Sequence, residues 1–369
     1  MHSVGHQPAP AGRVNLHEYE QAAAEILTPA AAAYYRSGAG DEHSIAENLA
    51  AWTRHRLLPR MLTGSARPST ATTVLGAAIS SPVVIAPTAM QRLAHPDGEL
   101  ATARAAAAAG TVMTLSTVAT ASIEAVADAR REVDADAPAW FQLYPQRDRG
   151  LTRALVERAR AAGYGAIVVT VDSPVFGYRE SDARDPLHLP EGLSLENFRG
   201  LPGYEEQADI GILQRFVANQ DAGYGWDDVA ELCGQSPLPV VLKGILRGDD
   251  AGRAAEVGAR GVVVSNHGGR QLDRTVAPVD ALRDVVDAVG GRVEVLVDGG
   301  VRRGIDVLIA LALGARAVMV GRPILWGLAV DGEAGVRAVL ELLTQELERA
   351  MTLAGCRTVD EITADLLAI

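Results

Sequence analysis

Residues Glu294 to Val320 read E-V-L-V-D-G-G-V-R-R-G-I-D-V-L-I-A-L-A-L-G-A-R-A-V-M-V, and this segment indicates the fold class most directly. A short apolar run over Glu294–Asp298 leads into a glycine-rich turn, Gly304–Leu313 has helical spacing, and Ala317–Val320 is a second apolar run. Strands that are apolar throughout are typical of a parallel sheet covered on both faces, in which a helix connects one strand to the next. The segment therefore predicts a β-α-β unit.

The same pattern recurs along the chain. Short β-rich runs are predicted at Pro82–Ala86, Val112–Ser116, Trp140–Tyr144, Ala166–Val171, Pro239–Lys243, Val262–Ser265, Glu294–Asp298 and Ala317–Val320. Segments with helical spacing lie between them at Gly98–Ala109, Ser122–Arg130, Asp148–Ala162, Trp226–Cys233, Asp249–Val257, Pro278–Val289 and Gly304–Leu313, and the amphipathic stretch Gly335–Ala354 follows the last run. Eight such alternations predict an α/β fold, the (β/α)8 TIM barrel. An open doubly wound sheet is the alternative, but no G-x-G-x-x-G follows the first strand.

Three segments lie outside this alternation. Leu16–Arg60 predicts N-terminal helices before the barrel, and Thr72–Ile79 predicts a small hairpin that closes the barrel floor. Asp172–Leu238 separates the fourth and fifth strands and leaves the barrel at its catalytic face, so we interpret residues 180–225 within it as a lid. A passive insertion is the alternative for this long loop.

Composition and charge narrow the function classes. The 369 residues carry a formal net charge of −12, with 48% hydrophobic and 22% charged residues, which is typical of a soluble globular enzyme. The acidic balance argues against nucleic acid as a partner, because a phosphate-binding surface needs clustered positive charge. No apolar run approaches the ~18 residues of a membrane span, so we expect no membrane partner.

The N-terminus and the cysteines give further expectations about domain organisation, metal binding and location. Residues 1–15 lack the apolar stretch of a signal peptide, and we expect a disordered tail there, followed by a single domain over residues 16–369. Cys233 and Cys356 have no neighbouring cysteine and no paired histidine, so we expect no disulfide framework and no metal site. A cytoplasmic protein is the resulting expectation.

One lysine, Lys243, stands among the 34 lysine and arginine residues, and it ends the fifth predicted strand. A chain biased towards arginine keeps a lysine where arginine cannot replace it. Lysine offers a compact point charge, whereas arginine offers a broad planar fork. We therefore predict a functional role for Lys243.

Polar residues follow every predicted strand. In chain order, the strand ends carry Thr88, Ser116, Gln142 with Tyr144, Thr170 with Asp172, Lys243, Ser265 to Arg270, Asp298 to Arg302, and Gly321 with Arg322. These ends meet at one mouth of a barrel, where so many polar groups are costly to bury without a bound polar ligand. The glycines after the last two strands, with Arg302 and Arg322, predict a phosphate site at a helix N-terminus.

Three residues predict the chemistry at the same mouth. The neutral imidazole of His267 is a suitable base near pH 7, and the carboxylate of Asp172 can orient it and stabilise its protonated form. Arg270 can bind a carboxylate through a two-point fork. An ordinary buried histidine is the alternative for His267, and a core aromatic is an equal alternative for Tyr144.

Five motifs occur along the chain, and most of them contain strand-end residues named above. They are S-N-H-G-G-R-Q-L-D (Ser265–Asp273), D-G-G-V-R-R-G (Asp298–Gly304), A-P-T-A-M (Ala86–Met90), H-P-D-G-E (His95–Glu99) and F-Q-L-Y (Phe141–Tyr144). In this order and spacing they resemble the FMN-dependent 2-hydroxy acid oxidases, a family that includes glycolate, lactate and hydroxymandelate oxidases. The resemblance runs from about Leu16 to Asp365, and it implies a TIM barrel that binds FMN and assembles as a homotetramer.

The resemblance also implies a role for each matching residue. The implied catalytic residues are His267, Asp172, Tyr144 and Lys243. The implied contacts to the substrate are Tyr34, Arg179, Arg270 and Tyr144. The implied FMN contacts are Pro87, Thr88, Ala89, Ser116, Gln142, Thr170, Lys243, Ser265, Asp298, Gly300, Arg302, Gly321 and Arg322. In this set His267 is the base, Asp172 pairs with it, and Lys243 stabilises negative charge on the reduced flavin.

The implied reaction is the oxidation of an (S)-2-hydroxy acid to a 2-oxo acid, with oxygen reduced to hydrogen peroxide. Ala89 favours oxygen as the acceptor, because oxidases of the family usually carry alanine at this position. Val118 stands where glycolate oxidases carry a bulky tryptophan, and we expect Phe176 to line the same pocket. We therefore expect a substrate larger than glycolate, either mandelate-like or of medium chain length.

Three alternatives share the fold. A dehydrogenase would pass the electrons to a quinone or a protein, and an enzyme similar to lactate monooxygenase would retain the 2-oxo acid and decarboxylate it. An FMN-dependent isomerase would bind a diphosphate and would need no carboxylate clamp. The joint presence of His267, Arg270 and Arg179 argues against the isomerase.

Overall fold

Three helices of the described chain precede the barrel. The computed structural model describes residues 12–64, 66–184, 187–201, 204 and 212–368, so most of the tail expected at residues 1–15 lies outside the described residues. The helices are Leu16–Ile26 (α1), Pro29–Arg36 (α2) and His43–Ala50 (α3), followed by a 3-10 turn at Ala51–Arg54. Asn15 caps α1 by accepting from the Glu18 backbone N–H, and Thr28 caps α2 with a proline at its first position. The predicted N-terminal helices are confirmed.

Eight parallel strands close into a barrel, as the alternation predicted. They are Val83–Ile85 (β3), Met113–Leu115 (β4), Ala139–Leu143 (β5), Ala166–Thr170 (β6), Val240–Ile245 (β7), Gly261–Val264 (β8), Glu294–Val297 (β9) and Ala317–Val320 (β10). Each strand pairs with the next in the chain, and β10 closes the ring by pairing with β3. An antiparallel hairpin of Thr72–Val74 (β1) and Ala77–Ile79 (β2) precedes them, also as predicted.

Helices surround the barrel. They are Gly98–Ala108 (α4), Ile123–Arg131 (α5), Arg149–Ala161 (α6), Glu180–Arg184 (α7), Ile212–Asn219 (α8), Trp226–Gln235 (α9), Gly248–Glu256 (α10), Pro278–Val289 (α11), Gly304–Ala312 (α12) and Arg322–Ala354 (α13), with 3-10 turns at Gln91–Leu93, Glu196–Phe198, Val359–Glu361 and Ala364–Leu366. The predicted stretch Gly335–Ala354 is only the second half of α13, which is kinked at Asp331 and Gly332. In the described part of the chain, no helix combines the length and apolar character needed to cross a membrane.

Alternate strand residues build two layers of the core. On β3, Val84 packs inside the barrel, whereas Val83 and Ile85 pack against the surrounding helices, and all three are at most 1% exposed. Burial of such a side chain stabilises the fold by about 1.5–3 kcal/mol. Val74 and Ile79 of the hairpin belong to the interior cluster, which fits the predicted role of the hairpin at the barrel floor.

The connection between β6 and β7 carries α7, α8 and α9. The segment between α8 and α9 is fixed to the loop after β5, because Gln146 and Gln220 form an isolated antiparallel bridge. The Arg147 backbone N–H also donates to the Asn219 carbonyl at 2.8 Å. Within the predicted lid, residues 185, 186, 202, 203 and 205–211 lie outside the described residues.

Candidate active site

The C-terminal ends of the eight strands open into one cavity of about 1370 Å³. Most predicted site residues line it: Tyr34, Pro87, Thr88, Ala89, Ser116, Val118, Tyr144, Thr170, Phe176, Arg179, Lys243, His267, Arg270, Asp298, Gly300, Arg302, Gly321 and Arg322. Three predicted residues, Gln142, Asp172 and Ser265, lie behind this lining. Each of them hydrogen-bonds a residue that lines the cavity.

His267 lies in the loop after β8 in the left-handed backbone region, with φ +58°. Its Nδ1 lies 2.9 Å from Oδ1 of Asp172, and its Nε2 lies 3.4 Å from the hydroxyl of Tyr144. An ionised carboxylate can only accept a hydrogen bond, so the Asp172 contact assigns the proton to Nδ1. Nε2 is therefore the acceptor at the cavity, as a general base requires.

Gly244 makes room for Asp172, and sequence reasoning missed it. A Cβ atom at Gly244 would lie 2.5 Å from Cβ of Asp172 and 2.6 Å from its Cγ, and the φ of Gly244 is +112°. The pairing of β7 with β8 is irregular here, because its register shifts between Lys243 and Ile245. The glycine directly after the functional lysine was the available signal, since a glycine within a strand often marks a close approach.

Lys243 is buried and paired with two oxygen atoms in the cavity lining and behind it. Its Nζ lies 2.7 Å from Oδ2 of Asp298 and donates to Oγ of Ser265 at 2.8 Å. Lys243 is 4% exposed as a residue, and a buried charge of this kind is stable only when paired. The second carboxylate oxygen of Asp298, Oδ1, is buried without a hydrogen-bond partner among the described residues.

Arg302 and Arg322 place two positive charges in the cavity lining after the last two strands. Arg302 stacks over the ring of Trp326 at 4.8 Å, and Arg322 donates to the carbonyls of Tyr35 and Gly268 at 2.9 Å. In the described part of the chain, no carboxylate lies within ion-pair distance of either guanidinium. Burial lowers the pKa of Arg302 to about 10 and that of Arg322 to about 9. These charges suit an anion such as a phosphate.

Two backbone amides at the start of α12 are paired within the protein. Asp306 accepts hydrogen bonds from the backbone N–H groups of Arg302 and Arg303 at 2.9 Å, so these two donors are already paired. The positive side chains, rather than these amides, are available to a phosphate.

Gly300 has a packing role that the sequence did not reveal. With φ +78°, a Cβ atom there would lie 1.8 Å from the carbonyl oxygen of Asn48 on α3. Close to it, Nε1 of Trp52 donates to the carbonyl of Gly299 at 3.0 Å. The close packing of the N-terminal helices thus requires a glycine at this position. The sequence predicts this glycine for another reason, the close approach of a ligand.

Two further arginines and a tyrosine lie together in the cavity lining. Arg270 donates to the carbonyls of Tyr34 and Ser37 at 2.7 Å, which fixes its guanidinium. Arg179 lies 2.7 Å from Asp182, but its Nε–H is not aligned for a hydrogen bond. Both guanidinium groups lie over the Tyr34 ring. Burial and the neighbouring Arg179 lower the pKa of Arg270. The part of the cavity around these two arginines therefore also favours an anion.

The hydroxyl of Tyr144 stays protonated beside His267. Burial, with the nearby Asp172 carboxylate, raises the pKa of this phenol well above its ordinary value. Below the ring, Gln142 accepts from the Ser116 hydroxyl at 3.2 Å and donates to Thr170 at 3.0 Å. These bonds order the polar floor of the cavity.

An aromatic wall closes the side of the cavity opposite the barrel. Three of the four phenylalanines of the chain, Phe176, Phe198 and Phe216, lie in the connection between β6 and β7. The ring of Phe216 lies 5.6 Å from Tyr144, 6.4 Å from Phe176 and 5.5 Å from Phe198. Sequence reasoning found Phe176 and missed Phe216, although the concentration of a rare residue in one loop was a usable signal. Val118 is part of the same cavity lining.

The fold is a closed (β/α)8 barrel whose last two strand ends carry a pair of arginines, and Arg322 contacts the loop that holds the imidazole of His267. This arrangement is typical of a barrel enzyme, in which the site lies at the C-terminal strand ends. The chain matches the FMN-dependent dehydrogenase family over residues 23–369, and it belongs to that family.

Relatives with known activities point in the same direction. The chain is 52% identical to an L-lactate oxidase of Nostoc sp. over 357 residues, which cover 96% of this chain and 98% of that one. It is 49% identical to human 2-hydroxyacid oxidase 1, with 95% of both chains covered. The solved structure of a mandelate oxidase with (S)-4-hydroxymandelic acid is similar, with a TM-score of 0.89, 42% identity and 96% and 98% coverage. The chain is accordingly an FMN-dependent enzyme of the 2-hydroxy acid oxidase family.

The residues of the cavity fit FMN, the cofactor of this family. The buried, unpaired Oδ1 of Asp298 is an acceptor suited to a hydroxyl of the ribityl chain. Arg302 and Arg322 supply the positive charge that a phosphate requires. Lys243 provides a buried cation beside these groups.

Proposed function

We propose that this enzyme oxidises an (S)-2-hydroxy acid larger than glycolate to the 2-oxo acid and reduces oxygen to hydrogen peroxide. The observation that carries the proposal is the contact of His267 Nδ1 with Asp172, which leaves Nε2 as a base at the cavity. Arg179 and Arg270 line the same cavity, and both charges act on Tyr144, the neighbour of His267.

The proposed mechanism assigns each step to a side chain. Arg179 and Arg270 bind the substrate carboxylate, and Tyr144 donates a hydrogen bond to the substrate through its protonated hydroxyl. His267 accepts the proton of the substrate hydroxyl at Nε2, and Asp172 stabilises the imidazolium that forms. FMN supplies the two-electron oxidation of the carbon that bears this hydroxyl, and oxygen is the final acceptor.

Three residues at the cofactor and the substrate support these assignments. Lys243 would hold a positive charge beside the cofactor ring, as the family resemblance implies, and its pairing with Asp298 fixes its Nζ. Tyr34 would contact the substrate from α2, where both guanidiniums already lie over its ring.

The apolar part of the cavity supports a large substrate. Val118, Phe176 and Phe216 line it together, and none of them carries a polar atom on its side chain. Solved mandelate oxidases similar to this chain hold (S)-mandelic acid and (S)-4-hydroxymandelic acid. An aryl or medium-chain side group on the 2-hydroxy acid is the ligand that suits such a wall.

Ala89 supports oxygen as the acceptor, because it lines the cavity at the position where oxidases of the family usually carry alanine. We further propose that residues 180–225 act as a lid. Leu187, Leu189 and Phe216 of this segment line the cavity, and its far end is fixed at Gln220.

Anaerobic titration with a panel of acids tests the proposal. Glycolate, (S)-lactate, (S)-2-hydroxyoctanoate and (S)-mandelate are added to the yellow enzyme, with (R)-mandelate as the stereochemical control. We expect the two larger (S)-acids to bleach the flavin fastest, and one peroxide to form per turnover after air is admitted. Fastest bleaching by glycolate would contradict the proposed substrate size.

Other outcomes of the same titration identify the alternatives. Slow reoxidation in air would indicate a dehydrogenase with a quinone or protein acceptor. Formation of a shortened acid without peroxide would indicate a decarboxylating monooxygenase. A flavin that no member of the panel bleaches would point to the isomerase.

We also propose a cytoplasmic homotetramer. The family resemblance supports the assembly, and the low cysteine count of the chain supports a reducing compartment. Light scattering after size-exclusion chromatography tests the assembly, because a tetramer has four times the 38.7 kDa mass of one chain.

A further inference from the structure

Two buried amides connect the N-terminal helices to the loop that carries the proposed base. Asn48 lies on α3 and is 3% exposed, and Asn266 directly precedes His267 and is 4% exposed. Asn48 Nδ2 donates to Asn266 Oδ1 at 2.8 Å, and Asn266 Nδ2 donates to Asn48 Oδ1 at 2.7 Å. Each amide thus satisfies a donor and an acceptor of the other, and loss of either partner leaves buried polar atoms unpaired.

Asn266 also holds the shape of this loop. Its Oδ1 accepts a second hydrogen bond, from the backbone N–H of Gly269 at 3.2 Å. His267, Gly268 and Gly269 are three consecutive residues with positive φ, at +58°, +64° and +76°. A histidine in the left-handed region persists only when its surroundings determine the backbone. The amide of Asn266 lies at the base of this turn and is itself held by Asn48.

The same helix contacts the loop on the cofactor side. The carbonyl oxygen of Asn48 occupies the space that a side chain at Gly300 would need. In the 3-10 turn that follows α3, Trp52 donates to the carbonyl of Gly299. A single residue of α3 therefore contacts the loop after β8 through its side chain and the loop after β9 through its backbone.

We propose that Asn48 is a positioning residue. It pairs with Asn266 and thereby fixes the position of the imidazole of His267 relative to the loop after β9. This inference rests on the proposed function, in which His267 is the base. Asn48 does not belong to the cavity lining, so its side chain acts through Asn266. A displacement of about 1 Å in a reacting group can lower a rate by ~10²-fold, which gives the amide pair a measurable effect.

The test uses the holoenzyme and measures the rate of anaerobic flavin bleaching at saturating acid. We expect N48A to lower this rate at least tenfold while the KM and the Kd for FMN change less than threefold. The double variant N48A/N266A should be no slower than the slower single variant, because the two amides act as one unit. A primary isotope effect with the 2-deuterated acid should persist in N48A, since the chemical step remains the slow one.

Two further variants separate positioning from folding. N48L/N266L replaces both amides with apolar groups of similar shape, so that neither amide of the pair is left unpaired, and we expect it to fold and to be slow. The Gly269 N–H loses Asn266 Oδ1 in this variant but keeps its bond to the Asn266 carbonyl at 3.0 Å. T111V removes a buried hydroxyl that donates to the Val83 carbonyl before β4, away from the cavity, and should keep the bleaching rate within twofold.

The inference is overturned if N48A and N48L/N266L bleach within threefold of the wild-type rate, if their losses match a loss of FMN, or if the N48A and N266A effects multiply. The result for the wild-type enzyme distinguishes a failure of the proposed function from a failure of the role of Asn48. A wild type that no 2-hydroxy acid bleaches contradicts the proposed function, whereas a wild type that is bleached beside an equally fast N48A contradicts only the role of Asn48.

Discussion

The Asp172 carboxylate reaches Nδ1 of His267, at 2.9 Å, across a gap in β7 that Gly244 leaves open. Asp172 follows β6 and His267 follows β8, and β7 lies between these strands in the barrel. A side chain at residue 244 would occupy the space of the carboxylate. The proposed acid-base pair therefore depends on a backbone position as well as on its two side chains.

Replacing Asp172 with asparagine should slow flavin bleaching by the preferred acid about 10²-fold or more. An amide keeps an oxygen that can accept from Nδ1, but it removes the negative charge that stabilises the imidazolium. Stopped-flow absorbance under anaerobic conditions measures this rate. D284N is the matched control, because Asp284 accepts from the Gly248 backbone N–H outside the cavity lining. A loss of less than threefold in D172N would contradict the role of the charge.

Replacing Gly244 with alanine should slow the same step at least tenfold. The added methyl group would lie 2.5 Å from Cβ of Asp172, at a φ of +112° that alanine rarely adopts. G234A is the control, because no atom lies within 4 Å of a Cβ at this position in α9 and alanine is the better helix former. We expect G234A to be as active as the wild type and equally or more stable, and a fast G244A would show that Asp172 tolerates displacement.

The barrel was predictable because each of its units carries a local signal. Every strand is predominantly apolar, and glycines such as Gly314 end the helices between strands. The first half of α13 was not predicted, because it contains glycines, and glycine is a poor helix former. Gly327 and Gly335 allow the two halves to cross closely, because a Cβ at Gly335 would lie 1.9 Å from the carbonyl oxygen of Gly327. This is a tertiary contact without a local sequence signal.

The site residues also divide into those with a local sequence signal and those placed by tertiary contacts. Residues such as Lys243 and Arg322 were predictable because strand ends converge by the geometry of a barrel. Asn48, by contrast, acts through a partner 218 residues away, and Phe216 reaches the cavity only through the path of the long connection. Gly300 was predicted for the approach of a ligand, and its contact with Asn48 could not be inferred from spacing. Contacts between distant segments thus account for the missed residues.

Replacing Val118 with tryptophan should change substrate preference. Val118 lines the cavity with Phe176, and a tryptophan there would fill the space available to a large side group. We expect kcat/KM for mandelate or 2-hydroxyoctanoate to fall at least tenfold and that for glycolate to fall less than threefold. Steady-state peroxide formation with both acids measures the ratio, and V118A is the control that keeps the cavity open. Unchanged kinetics in V118W would mean that residues of the lid determine the substrate size.

Replacing Arg302 with methionine should weaken FMN binding about 10- to 100-fold and leave riboflavin binding nearly unchanged, because only FMN carries the phosphate. Burial holds the pKa of Arg302 and Arg322 near 10 and 9, below the ordinary arginine value of 12.5. Folding therefore buries two charges that are costly at every pH below about 9, and an anionic phosphate offsets that cost. FMN should accordingly raise the Tm more than riboflavin does in the wild type, and this difference should shrink in R302M.

R303M is the matched control for this comparison, because Arg303 neighbours Arg302 but is exposed and paired with Glu346 at 2.6 Å. Fluorescence titration of the apoprotein with both flavins measures the two affinities. If R302M and R303M weakened FMN equally, the effect would be a general change in surface charge. If R302M weakened FMN and riboflavin equally, the role of Arg302 would be to support the loop after β9. The phosphate would then have to be bound by other groups of the cavity, of which Arg322 is the remaining buried cation.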